Sequence, residues 1–173
     1  MEIMEYKSLP SANLPSEISS QFTVFELGED KYIFCPIRNR LYKVNEKPEE
    51  IVRQWWIYRL RDAYNYAFDQ IEVEVSVNVG STESKKKADI VVYTDKTKKK
   101  ARIFVEVKKP NRKDGVDQLQ VYMNATGCRL GLWSNGKGPH VYLLRIEPKE
   151  GAEVNNGGLG SLQHNDERIR HRE

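Results

Sequence analysis

The run IEVEVSVNV (71–79) alternates strictly, with Ile71, Val73, Val75, Val77 and Val79 at one parity and Glu72, Glu74, Ser76 and Asn78 at the other. Successive side chains of a strand point to opposite faces, so the pattern predicts a strand with all five aliphatic residues turned inward. Two more β-rich runs follow, ADIVVY (88–93) and IFVEVKK (103–109). The first is reached through the turn Gly80-Ser81-Thr82 and a lysine run, the second across a polar, lysine-loaded turn. Upstream the period becomes helical. Pro48, Glu49 and Glu50 suit a first helical turn, where acids oppose the positive dipole end, and Asn45 is placed as the N-cap. The body IVRQWWIYRLRDAYNYAF carries Ile51, Trp55, Tyr58 and Asp62 on one stripe and Val52, Trp56, Leu60, Ala63 and Ala67 on the next. So wide an apolar stripe packs against a sheet, and Trp55 and Trp56 read as core rather than base-stacking platforms. A second helix is expected over 116–125, ended by Gly127. The strands RLGLWSN and HVYLLRI, joined through Gly136-Lys137-Gly138-Pro139, complete the pattern.

From residue 48 the order is thus helix, strand, strand, strand, helix, strand, strand. This is an α/β domain with a central mixed sheet flanked by helices. Ahead of it FTVFEL, KYIFCPI and RLYKV, broken at Gly28-Glu29-Asp30 and Arg38-Asn39-Arg40, predict an antiparallel meander. Pro36 ends its strand or holds it at an edge. Residues 1–20, polar with Pro10 and Pro15, read as an N-terminal arm, and 21–147 as one domain with a lead-in meander (21–44) and a core (48–147). Residues 148–173, rich in Gly, Asn, Glu and Arg, read as a flexible tail or linker.

With 173 residues, 39% hydrophobic and 31% charged, the chain can bury one core. No apolar run approaches the ~20 residues of a bilayer span and MEIMEYKSLP has no signal-peptide h-region, so a cytoplasmic protein is expected. Cys35 and Cys128 fit neither a zinc knuckle nor a redox pair and read as small buried hydrophobes. The net charge of +3 conceals an asymmetry: residues 85–113 hold twelve Lys/Arg against Asp89, Asp95 and Glu106, a local +9, leaving −6 elsewhere. A basic field around embedded carboxylates suits a polyanionic substrate. Taken alone, the lysines at 96–100 read as a solvated turn.

Those embedded groups carry the chemistry. Glu106 and Lys108, two apart on a strand, share a face, and Asp89 reaches it if the two runs pair as a hairpin. Two converging carboxylates make a hard oxygen site for Mg²⁺, and a lysine beside them can steady a phosphate or orient the attacking water. A Glu-x-Lys triplet alone is commonplace on solvated strands, but here the same face is expected between two hydrophobic helices. Other chemistries lack their residues. His140, His164 and His171 have no nucleophile at an elbow, Ser134 reads as a turn residue, and the GGLG of the tail neither follows a strand nor opens a helix.

The order α-β-β-β-α-β with D…ExK on the second and third strands resembles the PD-(D/E)XK nuclease superfamily. KPEEIVRQWWIYRL, ADIVVY, IFVEVKKP, the Gln118 and Tyr122 of DQLQVY, and LGLWSNG together resemble the N-terminal nuclease domain of type I restriction enzyme R proteins. KYIFCPIRNRLYKV resembles the lead-in segment of compact relatives, so the likeness spans about residues 30–147. It implies a restriction-endonuclease-like fold and a Mg²⁺-dependent DNA endonuclease, with Mn²⁺ as substitute. Asp89 and Glu106 match the metal-binding carboxylates, with the Val107 carbonyl as a further ligand, and Lys108 the catalytic lysine. Gln118 and Tyr122 match a QxxxY element that fixes the lysine or contacts DNA. Glu50 matches the acidic residue of the first helix, with Glu49 a rival. The basic residues Lys85, Lys86, Lys87, Lys109, Arg112 and Lys113 are the expected DNA contacts. Ala88 stands where the superfamily motif has proline, as is ordinary in this branch. Gly136-Lys137-Gly138 lacks the phosphate-loop pattern, so this chain offers no ATP site, and an ATP-dependent motor and methyltransferase or specificity subunits would be partners. Three alternatives stay open: a catalytically silent nucleic-acid-binding module, a repair or recombination nuclease of the same superfamily, or a small basic RNA-associated or scaffold protein whose Glu–Lys pair is surface decoration.

Overall fold

A computed structural model describes residues 24–79, 82–146 and 160–162. The arm expected over 1–20, the turn residues Gly80 and Ser81 and most of the tail lie outside the described residues. Strands β1 (Val24–Leu27), β2 (Asp30–Cys35) and β3 (Arg40–Lys43) form the expected antiparallel meander, and β2 ends one residue before Pro36. Asn45 does not cap the next helix. Its carboxamide accepts from the Lys31 N–H at 2.8 Å and donates to the Glu29 carbonyl at 3.1 Å, closing the meander instead.

Helix α1 (Glu49–Asp62) follows, with Pro48 before it and Glu49 and Glu50 in its first turn. It stops well short of Phe68. Tyr66 N–H donates to the Leu60 carbonyl at 3.0 Å and Asn65 adopts φ +59°, a left-handed conformation that asparagine tolerates, so the chain turns out of the helix. Ala63 and Ala67, expected on the buried stripe, are therefore exposed, as is Asp62. A short 3₁₀ turn (Phe68–Gln70) leads into the main sheet. That sheet has the order β4 (Ile71–Val79), β5 (Thr82–Tyr93), β6 (Ala101–Val107), β7 (Leu130–Ser134), β8 (Val141–Leu144) and β9 (Gly160–Leu162). Among the described strands only β6 and β7 pair in parallel, and helix α2 (Val116–Thr126) makes their crossover, ending at Gly127 with φ +69°. No described helix is long and apolar enough to cross a membrane.

The two helices lie on opposite faces of the sheet rather than flanking one. Val52, Trp56, Ile57 and Leu60 of α1 pack with Ile33 and Val44 of the meander region and with Ile90, Val92, Ile103, Val105 and Val107. Leu119, Tyr122 and Met123 of α2 pack with Ala88, Val91, Phe104, Trp133 and Leu143. Helix α1 thus meets apolar side chains of both the sheet and the meander, and even its polar residues Glu50, Arg53 and Gln54 are buried. Trp55 and Trp56 are core, packed edge-on with centroids 4.8 Å apart, and both cysteines are free and buried. The five inward residues of β4 do not share a face. Ile71 and Val73 pack on the α1 side, whereas Val75, Val77 and Val79 pack on the α2 side. Glu74, between them, has φ +53°, so the strand turns over there and strict alternation breaks.

Candidate active site

Asp89 lies where β5 and β6 pair. One step beyond the Ile90–Val105 pair, the antiparallel register sets Asp89 opposite Glu106. Asp89 Oδ2 accepts from the Val107 N–H at 2.8 Å, so the neighbouring strand's backbone pins the carboxylate. Its Oδ1 accepts from Arg53 Nη2 at 2.7 Å. The hairpin brings together the expected pair and adds a cation from α1.

Glu106 is 2% exposed. Its Oε1 accepts from Lys108 Nζ at 2.6 Å and its Oε2 faces Gln118 Nε2 at 3.5 Å. Gln118 in turn donates to Tyr122 Oη at 2.6 Å, so the QxxxY pair on α2 reaches Glu106 as one relay. Burial, then the Asp89 charge, pushes the Glu106 carboxyl up to about 7. Burial works against the Lys108 ammonium, but the hydrogen bond and charge of Glu106 outweigh it and hold its pKa above the ordinary lysine value. Burial and the Glu106 charge likewise push the Tyr122 phenol up to about 12, keeping it a neutral hydrogen-bonding group.

Two features seat the lysine. Its N–H donates to the Ser134 carbonyl at 2.8 Å, extending the parallel β6–β7 ladder past Val107. Its stem lies against Gly115, where a Cβ would stand 2.7 Å from Lys108 Cε and 3.3 Å from Nζ. Gly115 also has φ +107°, a conformation that favours glycine, and an added Cβ would push the end of the lysine aside.

On α1, Glu50 rather than Glu49 enters this network. Glu50 is fully buried, accepting from Gln54 Nε2 at 2.6 Å and from Arg53 Nη1. Burial raises its pKa, opposed by Arg53 and Gln54. Arg53 therefore forks between Glu50 and Asp89, and its raised pKa records those two carboxylates overcoming burial. Sequence reasoning missed Arg53 and Gln54. The signal was present as Glu50-x-x-Arg53-Gln54, whose i+3 and i+4 spacing puts all three on one helical stripe. It also missed Glu74, which the alternation of β4 turned outward, although its Oε1 stands 3.9 Å from Arg53 Nη1.

Among the expected DNA contacts, Lys87, Lys109, Arg112 and Lys113 are exposed, and the side chains of Lys85 and Lys86 lie outside the described residues. Arg112 is engaged by Asp114 at 2.6 and 2.8 Å. Ser134 and His140 do meet, Oγ to Nδ1 at 2.9 Å, but Ser134 is fully buried and burial pushes His140 down to about 4. The pair pins the β7–β8 loop beside Trp55 and Trp56. A cleft of about 360 Å³ lined by Trp55, Tyr58, Arg59, Arg61, Asp62 and Ala63 shares no residue with the carboxylate cluster.

Among the described residues, no group of three or more His, Cys, Asp or Glu side chains could hold a metal ion. The donors present are two carboxylates, and they suit a hard cation that keeps much of its water shell, as Mg²⁺ does. Each carboxylate oxygen that accepts one hydrogen bond here retains a second lone pair. The buried Glu106 charge is only partly compensated by Lys108 and Gln118, so a cation at this point meets an electrostatic demand.

The family model described as type I restriction enzyme R protein N terminus matches residues 48–156, from the start of α1 past the end of β8. No curated protein and no solved structure matches the chain.

Proposed function

Because the chain belongs to the family of type I restriction enzyme R protein N-terminal domains, we propose that it is a Mg²⁺-dependent DNA endonuclease of the PD-(D/E)XK kind, serving restriction. The observation that carries this reading is Glu106, buried between Asp89 and Lys108 and hydrogen-bonded to Lys108 at 2.6 Å. Asp89, Glu106 and the Val107 carbonyl would hold Mg²⁺, or Mn²⁺ in its place. Such an ion would supply Lewis-acid polarisation of a phosphodiester lying beside Asp89 and Glu106. The protein's own groups do the rest. Lys108 donates to the phosphate oxygens as charge develops on them, and Gly115 leaves it room to do so. Gln118 and Tyr122 keep Glu106 turned toward the lysine, while Arg53 and the Val107 N–H hold Asp89. Exposed Lys87, Lys109 and Lys113 attract the DNA backbone without reading sequence. Choice of target, and any ATP-driven translocation, belong to partner subunits of the restriction assembly.

A plasmid-nicking assay with Mg²⁺, with EDTA, and with Glu106→Ala and Lys108→Ala tests this. The wild-type chain should nick only with Mg²⁺ or Mn²⁺, and each substitution should lower the rate at least 100-fold, within the usual range for a lost electrostatic contact to the transition state (about 10²–10³). Equal cleavage by either variant would sink the assignment.

A further inference from the structure

The proposed reaction gives no task to the tip of the meander, yet that tip reaches the site. Glu74 Oε2 stands 3.4 Å from Arg38 Nη1 and 4.0 Å from Arg40 Nη2, while Glu74 Oε1 stands 3.9 Å from Arg53 Nη1. Three guanidinium groups thus converge on one carboxylate. Arg53 already serves Glu50 and Asp89. Arg38 comes from the β2–β3 turn and Arg40 opens β3, both outside the residues 48–156 that match the family.

We propose that Arg38 and Arg40 form a clamp for a backbone phosphate of the bound DNA strand, beside the one that is hydrolysed. Both side chains are held in advance. Arg38 Nη2 donates to the Val73 carbonyl at 2.5 Å. Arg40 stacks over the Tyr42 ring at 4.5 Å and donates to its hydroxyl at 2.8 Å. Their contacts with Glu74 are longer than the ~2.7–2.9 Å of a strong charge-assisted hydrogen bond, so a phosphate can be engaged without breaking a tight ion pair. The Arg40 side chain is 56% exposed, open to a ligand from solvent. Glu74 stands one arginine away from Asp89, so a strand passing the carboxylates carries a neighbouring phosphate toward this flank. Glu74 itself sets how far in that phosphate can come.

The clamp rests on the nuclease reading for its place beside the cut, but its test needs no cleavage. Anisotropy of a labelled duplex in EDTA, across 50–200 mM salt, would compare wild type with Arg40→Ala, Arg38→Ala/Arg40→Ala and Glu74→Gln. Each arginine lost should flatten the log–log salt slope by about one. The wild-type advantage over the double variant should shrink roughly ten-fold between 50 and 200 mM salt, as loss of two counterion-releasing contacts implies. Glu74→Gln should bind more tightly. If removal of Arg38 unfolds the chain by circular dichroism, Arg40→Ala alone carries the test, with its slope change of about one. An unchanged slope in a folded variant overturns the clamp, as does a wild-type chain that does not bind. A slope that responds while Glu106→Ala or Lys108→Ala cleaves as wild type does overturns the nuclease reading and leaves a DNA-phosphate clamp standing.

Discussion

Glu106→Gln should remove a pH dependence that the wild-type fold carries. Burial and the charge of Asp89 hold the Glu106 carboxyl at about 7, against an ordinary 4.5. Below pH 4.5 both folded and unfolded chains keep the proton. Between 4.5 and 7 the unfolded chain releases it while the folded chain retains it, so stability falls as pH rises. Above 7 both are ionised and the loss is complete. A shift of this size corresponds to about 3 kcal/mol, all of it expressed within that window. Urea unfolding followed by circular dichroism, in EDTA at several pH values from 4.5 to 8, gives the quantity directly. The free energy of unfolding of wild type minus that of Glu106→Gln should decline by about 3 kcal/mol from the acid to the alkaline end. Lys108 stays charged across this range, its pKa being above the ordinary lysine value, so it adds no slope of its own. A difference that stays flat with pH would refute the claim that ionising Glu106 is costly in this fold. A difference of opposite sign would mean that Lys108 more than compensates burial.

Two further outcomes follow from the packing. Gly115→Ala sets a Cβ 2.7 Å from Lys108 Cε at φ +107°, so it should cost about 1–3 kcal/mol in thermal unfolding and lower kcat through the displaced lysine, with KM changed less. Arg53→Met strands the buried carboxylate Glu50 and strips a partner from Asp89; it should destabilise by about 3–5 kcal/mol, and Glu50→Gln in the same chain should recover part of that loss in a double-mutant cycle read by urea unfolding.

What the sequence made legible is what periodicity encodes. The run at 71–79 announced β4, and the Glu-x-Lys spacing set Glu106 and Lys108 on one face. The i+4 spacing of Gln118 and Tyr122 brought them to one helical stripe, where they hydrogen-bond at 2.6 Å. Periodicity could not show the turnover of β4 at Glu74, because the break is a backbone conformation at a residue whose type does not demand it. Nor could it end α1 at Asp62: the apolar pattern runs on through Tyr64 and Tyr66, whose rings pack back on the α1-side core from outside the helix. The role of Asn45 is hidden from local sequence for a related reason. An asparagine ahead of a helix and one closing a meander have the same local sequence, and only the strand 14 residues earlier decides between them.

Arg53 shows why the carboxylates alone were an incomplete picture of the site. A buried carboxylate needs a compensating partner, and the embedded acids Glu50, Asp89 and Glu106 come from three different elements. Lys108 answers Glu106 from the same strand, at a spacing the sequence displays. The cation that answers Asp89 comes instead from α1, 36 residues away. Arg53, on the helix stripe that faces β5, meets both Asp89 and Glu50. Among the residues of α1, Arg53 is the one three positions on from Glu50, and its fork can take two carboxylates at once where a lysine would offer a single point charge. The same reasoning carries outward to Glu74, whose answering cations lie on the meander. The lead-in segment is thus tied to the site by charge, although it lies outside the match to the family.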